Sequence, residues 1–119
     1  MRRLVLIFLT LGLALPAIAE VDLHCYPNPA VSGRDEVKIV IQPPADGTIT
    51  IDIYTIDGYS VIRLLSDEPV KAGDSYVVTR WDMKNGDGAV AKPGAYVVKL
   101  TGTFGDESVT EKFTLIVDI

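Results

Sequence analysis

The amino-acid sequence predicts an all-β fold: an antiparallel β-sandwich of the immunoglobulin-like or fibronectin III-like kind, with about seven strands. Three observations indicate this fold. Short runs of alternating apolar and polar residues recur along the chain, and turn dipeptides rich in glycine, proline and aspartate separate them. No stretch after the first nineteen residues has the period of an amphipathic helix. Short strands at such spacing are typical of a two-sheet sandwich.

The first nineteen residues are predicted to be a cleaved signal peptide. Arg2 and Arg3 give a positive start, residues 4–15 are almost wholly apolar, and residues 16–19 end in the small residues that signal peptidase recognises. The apolar run is shorter than the ~20 residues that a transmembrane anchor needs. We therefore expect residues 20–119 to form one domain without a membrane anchor, exported to the periplasm, the cell surface or the extracellular space.

The charge of the domain limits its partners. The whole chain has 11 basic and 16 acidic residues. Arg2 and Arg3 are the only charged residues before position 20, so the domain keeps 9 basic and 16 acidic residues, a net charge of −7. This balance argues against nucleic acid or anionic lipid as a partner, since basic patches bind both. A domain of this size needs neither metal nor disulfide to fold, and no cofactor is expected.

Alternation and turn residues place the strands in order. The predicted strands cover residues 37–42, 48–54, 60–65, 76–81, 95–103 and 108–117, with a further strand near Tyr26. In residues 48–54 the isoleucines all fall on one face, which predicts a half-buried strand. Asp57-Gly58 follows as a tight hairpin turn. We expect residues 67–74 to form a polar connection and residues 82–94 a long loop.

The last predicted strand carries apolar side chains on both faces. Leu115 and Val117 share one face, and Ile116 and Ile119 share the other. Burial is the commoner fate of such residues, so we expect both faces to be partly buried inside the sandwich. The alternative is an edge strand that recruits another chain.

His24 and Cys25 are the only histidine and the only cysteine. With one cysteine no intrachain disulfide can form, so the thiol is either buried near the first strand, which we favour, or paired with another chain. Neighbouring residues on an extended strand point to opposite faces, which argues against a catalytic Cys-His pair. No Cys/His cluster suits a metal, and we predict neither catalytic nor metal-binding residues.

Residues 82–88 have a superficial likeness to a calcium loop. Counted from Asp82, the sixth position is Asp87 instead of glycine, and the twelfth is Pro93 instead of glutamate. Asn85-Gly86 and Asp87-Gly88 are strong turn dipeptides whose side-chain oxygens accept local backbone N–H groups. A structural turn is therefore predicted.

The aromatic residues allow two interpretations. Trp81, the sole tryptophan, either fills the core between the sheets, which we favour, or stacks on a sugar as an exposed ring. A carbohydrate-binding module would need several aromatic rings on one surface. The candidates for such a strip are Tyr54, Tyr59, Tyr76 and Tyr96.

A series of short phrases carries a resemblance to a known family. The phrases are Tyr26-Pro27-Asn28-Pro29, Asp57-Gly58, Gly73, Trp81-Asp82, Gly88 and Pro93-Gly94 with Tyr96. In this order they resemble the immunoglobulin-like domain of flagellar hook-capping (FlgD-type) proteins and the related β-sandwich at the ends of many secreted bacterial proteins. The resemblance implies that these residues shape the fold. Where the family's Trp-Asp-Gly turn has glycine, this chain has Met83.

The resemblance also implies a domain that binds or scaffolds and does not catalyse. We expect an exported, non-enzymatic module with a structural or protein-binding role in the cell envelope or extracellular space. Its expected partners are envelope or surface proteins, contacted through residues 82–93, residues 67–74 and the last strand. Self-association through an edge strand or Cys25 stays open. The alternatives are a carbohydrate-binding module and a domain of flagellar hook assembly or type IX secretion.

Overall fold

The computed structural model describes residues 21–119, and the predicted signal peptide lies outside them. In this part of the chain every regular element is a strand. The strands are β1 (Asp22–Tyr26), β2 (Ala30–Val31), β3 (Val37–Gln42), β4 (Gly47–Thr55), β5 (Ser60–Val70), β6 (Tyr76–Trp81), β7 (Gly94–Phe104) and β8 (Glu107–Asp118). Between residues 21 and 119 there is no helix with the length and apolarity to cross a membrane.

The strands form two sheets of unequal size, which confirms the predicted all-β sandwich. The smaller sheet has the order β1-β3-β6 and the larger the order β2-β8-β7-β4-β5. Every pairing is antiparallel except that of β2 with β8, which is parallel and two residue pairs long. The smaller sheet covers one face of the larger sheet, and the other face of the larger sheet meets solvent.

The core lies between the sheets and is built by alternation. The largest fully buried side chains are Trp81, Ile39, Ile41, Ile49, Ile51, Ile53, Met83, Leu100 and Leu115. On β4 the three isoleucines are at most 1 % exposed. Their neighbours Thr48 and Thr50 point to the solvent side. The half-buried strand predicted for residues 48–54 is thus confirmed.

β5 extends beyond the predicted strand at residues 60–65. Residues 67–70 were expected in a connection, but Glu68 pairs with Ile49 and Pro69 pairs with Thr48. Proline has no backbone N–H to donate. Because β5 is the outermost strand of its sheet, Pro69 can lie on its free side, where no further strand needs that donor. Register shifts along the β4–β5 pairing and a φ of 48° at Asp67 disrupt the alternation by which a strand is recognised.

β8 buries only one of its faces. Leu115 is 0 % and Val117 2 % exposed, whereas Ile116 is 41 % and Ile119 83 % exposed. The expectation that both faces are partly buried is therefore wrong, because the smaller sheet covers one side of β8 only. β2, which the sequence did not predict, pairs with β8 only at residues 117–118.

Cys25 is buried and His24 is exposed on the opposite face of β1. The thiol is 3 % exposed, which confirms the favoured interpretation of a buried cysteine near the first strand. Burial raises the pKa of the Cys25 thiol to about 12, since the thiolate would lose its hydration. The thiol therefore stays protonated, and its reactivity as a nucleophile is low.

Candidate functional site

Several segments meet at one end of the sandwich, which we call the loop end. It comprises the β4–β5 hairpin at residues 55–60, the loop at residues 82–93, the segment at residues 32–36 and the chain after residue 117. The N–H of Gly86 donates to the carbonyl of Val61 at 3.2 Å, and the N–H of Ser32 donates to the carbonyl of Asp118 at 2.9 Å. These bonds connect segments that are far apart in sequence.

The loop at residues 82–93 is held by its own polar groups. The Asn85 side-chain oxygen accepts the N–H groups of Asp87 and Ala89, both at 2.9 Å. The Asp82 carboxylate accepts the N–H of Lys84 at 3.0 Å. Gly88 donates its N–H to the Asn85 carbonyl at 3.0 Å and has a φ of 85°, a conformation that favours glycine. The predicted structural turn is thus confirmed.

Trp81 and Tyr96 anchor this loop to the core. The Trp81 ring is 0 % exposed, so the core position predicted for it is confirmed and an exposed sugar-stacking ring is excluded. Its Nε1–H donates to the Lys84 carbonyl at 2.8 Å. The Tyr96 ring meets Trp81 edge to face, with centroids 5.6 Å apart, and its hydroxyl donates to the Lys92 carbonyl at 2.6 Å. Both ends of the loop are therefore fixed.

Tyr96→Phe is expected to lower the free energy of unfolding by about 1 kcal/mol. The ring stays in place against Trp81, but the Lys92 carbonyl loses its donor. Urea unfolding would measure the change. Tyr59→Phe serves as the control because the Tyr59 side chain is 72 % exposed. Equal stabilities of the Tyr96 and Tyr59 variants would contradict the anchoring role of the Tyr96 hydroxyl.

Met83, at the position where the FlgD-type motif that the sequence resembles has glycine, has a backbone conformation that favours glycine. Its φ is 62°, in the left-handed region, while its side chain is 0 % exposed. Its carbonyl accepts the N–H of Ala91 at 2.8 Å. The turn therefore places a non-glycine residue in the left-handed region, and the buried thioether side chain contacts the core.

The segment Tyr26-Pro27-Asn28-Pro29 carries the chain from one sheet to the other. The Asn28 amide pairs with the edge of β8: its Oδ1 accepts the N–H of Ile116 at 2.9 Å and its Nδ2 donates to the carbonyl of Thr114 at 3.3 Å. The peptide bonds before Pro27 and Pro29 are both cis. Asn28 thus takes the place of a strand residue just before β2 begins.

The other motif residues lie at turns. Gly58, with a φ of 96°, donates its N–H to the Thr55 carbonyl at 2.9 Å and closes the predicted Asp57-Gly58 hairpin. Pro93 and Gly94 lead into β7 at the loop end. Gly73 lies in the connection between β5 and β6, at the opposite end of the sandwich. Residues 67–74 and residues 82–93 therefore do not form one surface.

Exposed apolar side chains gather at the loop end. Of seven large apolar side chains exposed in residues 21–119, only Tyr76 lies at the far end of the sandwich. The six at or beside the loop end are Tyr26, Ile56, Tyr59, Val90, Ile116 and Ile119. Ile56 and Tyr59 flank the Asp57-Gly58 turn. Apolar residues in a turn that is usually polar were the sequence signal for this surface.

Polar groups border this apolar surface. A shallow depression of about 350 Å³ lies between residues 32–36 and the loop, with Val90 and Lys84 in its wall. Arg34 and Asp35 form an ion pair of 3.1 Å there, and the hydrogen bond from Arg34 lowers the pKa of the Asp35 carboxyl. An apolar centre with a charged rim is the usual composition of a protein–protein interface.

The structure does not bring the four candidate tyrosines together. Tyr96 is buried in the core, Tyr54 lies on the outer face of β4, Tyr59 is at the hairpin tip and Tyr76 is on the smaller sheet. Within residues 21–119, no group of three or more His, Cys, Asp and Glu side chains is placed to hold a metal ion.

Three solved structures have a fold similar to that of this chain. The chain is similar to PorU from Porphyromonas gingivalis, described as dimeric and latent (20% identity, TM-score 0.60, covering 90% of this chain and 10% of PorU). It is also similar to PorZ of that organism, described as an essential surface component of the type IX secretion system (15% identity, TM-score 0.55, covering 82% and 11%). FlgD from P. aeruginosa matches with 19% identity and a TM-score of 0.57, covering 83% of this chain and 75% of FlgD.

The chain thus spans about a tenth of the PorU and PorZ chains. No family model and no curated protein matches it. At such low identity the solved structures establish likeness of fold. The resemblance of its motifs to the FlgD-type and secretion-associated sandwich is confirmed in the fold that this chain shares with FlgD, PorU and PorZ.

Proposed function

We propose that this protein is an exported, non-enzymatic β-sandwich that binds a protein partner of the cell envelope or extracellular space through its loop end. The observation that carries the proposal is that, of the seven exposed large apolar side chains of the described residues, four lie at that end and two more lie on the strands beside it. Exposed apolar patches with a polar rim mark interaction sites, because leaving such surface in water is unfavourable.

The rigidity of the loop end supports a binding role. The Asn85 side chain, the Trp81 indole and the Tyr96 hydroxyl each hold the loop at residues 82–93 in one shape. A surface that is ordered before binding loses little conformational entropy when the partner arrives. The Asp57-Gly58 hairpin is fixed in the same way by the Thr55 hydroxyl, which accepts the N–H of Tyr59 at 2.9 Å.

A type IX secretion-associated role is the second candidate. Two of the similar structures, PorU and PorZ, come from one bacterium, and PorZ is described as a surface component of that secretion system. The fold likeness to FlgD supports a flagellar association in the same way. In each context the domain would serve as a docking module of a larger assembly.

Replacing Ile56 and Tyr59 together by serine is expected to weaken partner binding at least about tenfold, since the central apolar residues of an interface contribute most of its affinity. Crosslinking in the native cell, followed by purification, would identify the proteins bound at fixed stoichiometry. The affinity of the purified pair would then be measured for the wild type and the Ile56→Ser/Tyr59→Ser variant. Both side chains are more than half exposed, so the fold should tolerate the change.

Tyr76→Ser is the matched control, because Tyr76 is 41 % exposed and lies at the opposite end of the sandwich. Equal affinities of the double variant and the control would remove the loop end as the contact surface. Recovery of no protein by crosslinking would contradict the protein-binding role itself.

A further inference from the structure

The outer edge of β8 is an open hydrogen-bonding ladder over residues 108–112. Along a strand, the N–H and C=O of one residue face the same neighbour, and successive residues face opposite neighbours. The Thr114 carbonyl and the Ile116 N–H both face the outer edge, where Asn28 binds them. The even-numbered residues Ser108, Thr110 and Lys112 therefore also face outward, since the β7–β8 register is unbroken there.

The described residues 21–119 pair with the C-terminal part of this edge only. β2 pairs with residues 117–118, and the Asn28 amide binds residues 114 and 116 as a peptide unit of a further strand would. Within residues 21–119, no strand of the larger sheet pairs with residues 108–112 on this edge, and β1 of the smaller sheet packs beside β8 without pairing with it. The opposite edge of the sheet, β5, is a poor template because Pro69 and several register shifts interrupt it.

A row of charged side chains crosses the solvent face and ends at this edge. Four residues form this row, each directly opposite the next on the neighbouring strand. They are Arg63 on β5, Asp52 on β4, Lys99 on β7 and Lys112 on β8. Arg63 is paired with Asp52 at 2.8 Å. Among the described residues neither lysine forms a salt bridge. The row therefore ends in two positive charges, in a domain whose net charge is strongly negative.

Lys99 and Lys112 oppose each other at close range. The N–H and C=O of Lys112 face the outer edge, so they do not bond to Lys99 on β7. The two lysines therefore form a non-hydrogen-bonded antiparallel pair, the type in which the side chains lie closest. Like charges directly opposite each other are unfavourable. The Lys99 ammonium lies 5.7 Å from the Tyr54 ring centroid, and its nearest charged cross-strand neighbour on β4, Asp52, is already paired with Arg63. A carboxylate one strand beyond β8 would compensate this charge.

We propose that the open edge of β8 binds an extended acidic segment of a partner protein, which adds as a strand with an aspartate or glutamate opposite Lys112. The proposal rests on the protein-binding role assigned to this domain and adds a second surface, at residues 108–112 of β8, which meets the loop end where Lys112 and Ile56 line one depression. On the inner face of β8, Val109 and Phe113 are only partly buried. Apolar residues that alternate with the acid would cover them.

A second copy of this chain fits the edge less well. Antiparallel pairing across a two-fold axis centred on Glu111 or Lys112 sets like charges opposite each other. Pairing centred on Thr110 sets Lys112 opposite Ser108 and leaves both lysines without a counter-charge. An added acidic strand would bond to the free N–H and C=O groups of β8 and would also compensate the positive charge of the two lysines. This mode of binding is β-strand addition.

A pair of synthetic peptides tests the proposal. Both peptides have blocked termini and alternate threonine with valine. At the central position whose side chain would lie on the solvent face, opposite Lys112, one peptide has glutamate and the other has lysine. We expect the glutamate peptide to bind the purified protein about fivefold to tenfold more tightly, as cross-strand charge pairs imply. Amide hydrogen exchange at Ser108, Thr110 and Lys112 should slow when it binds. Equal affinity for the two peptides, or unchanged exchange at these amides, would overturn the proposal.

Two variants separate the charge from the ladder. Lys112→Glu should invert the preference, so that the lysine peptide binds more tightly, whereas Lys84→Glu at the loop end should leave the preference unchanged. Thr110→Pro removes an outward N–H that β7 does not use, and should abolish binding of both peptides with little loss of stability. Undiminished peptide binding by the Thr110→Pro variant would also overturn the proposal.

The remaining outcomes are distinguishable. Dimerisation of the protein with protection of the same three amides would assign the edge to a second copy and overturn the acidic partner. Ile56 lines the same depression as Lys99 and Lys112, so the loop-end variant for this test is Val90→Ser, in a separate depression. This variant should bind the glutamate peptide like the wild type. If the loop-end proposal fails, the preference for the glutamate peptide is unaffected. If the peptide does not bind, the partner recovered by crosslinking is unaffected.

Discussion

Trp81→Ala is expected to lower the free energy of unfolding by about 3–5 kcal/mol, a large part of the 5–15 kcal/mol typical of a domain. Trp81 is fully buried between the sheets. The truncation opens a cavity against the Tyr96 ring and leaves the Lys84 carbonyl without its donor. Because the loop at residues 82–93 begins at this side chain, we also expect the loop to lose its order before the sheets do.

Thermal and urea unfolding would measure the effect of Trp81→Ala, with an expected fall in melting temperature of more than about 12 °C. Trp81→Phe is the matched control, since a phenylalanine ring fills part of the space but lacks the indole N–H. Its loss should be clearly smaller. A Trp81→Ala variant within about 1 kcal/mol of the wild type would show that the core closes around the missing ring.

At position 83 a glycine variant is expected to be more stable than an alanine variant, the reverse of the usual order. Met83→Ala should cost about 2–5 kcal/mol through lost apolar contacts, and it keeps a side chain at a φ of 62°. Met83→Gly loses the same contacts but removes the steric cost of the left-handed backbone, about 1–2 kcal/mol. The glycine variant should therefore be the more stable of the two.

Urea unfolding of the two Met83 variants would measure this difference directly. Ala89→Gly, an exposed substitution in the same loop, is the control for the general effect of added glycine on the unfolded chain. If the Met83→Ala variant is as stable as Met83→Gly or more so, the turn does not impose the left-handed conformation in solution.

The local elements could be predicted from the sequence because they rest on local signals. Alternating isoleucines placed β4, Asp57-Gly58 placed the hairpin, and the mismatch of Asp87 and Pro93 with calcium ligands identified the structural turn. β2 could not be predicted, since two residues show no period. Its pairing depends on the position of β8, far along the chain.

The sites depend on register, which the sequence does not specify locally. The row that ends in Lys99 and Lys112 exists because three pairings align across the sheet. The bond from Asn28 to Thr114 spans 86 positions. The exposure of Ile116 was likewise hidden, because the same alternation fits a strand covered on both faces or on one.

The path of β1 and β8 has a mechanical consequence. β1 begins opposite Gln42 and runs toward the loop end, while β8 reaches Ile119 at the loop end, so residues 21 and 119 lie at opposite ends of the sandwich. Tension between these two points pulls β1 along β3 and β8 along β7, at right angles to the hydrogen bonds that join them. Those bonds would be sheared together instead of opening one by one, so the domain would resist tension applied between these two residues more than tension that peels a strand from the edge of its sheet.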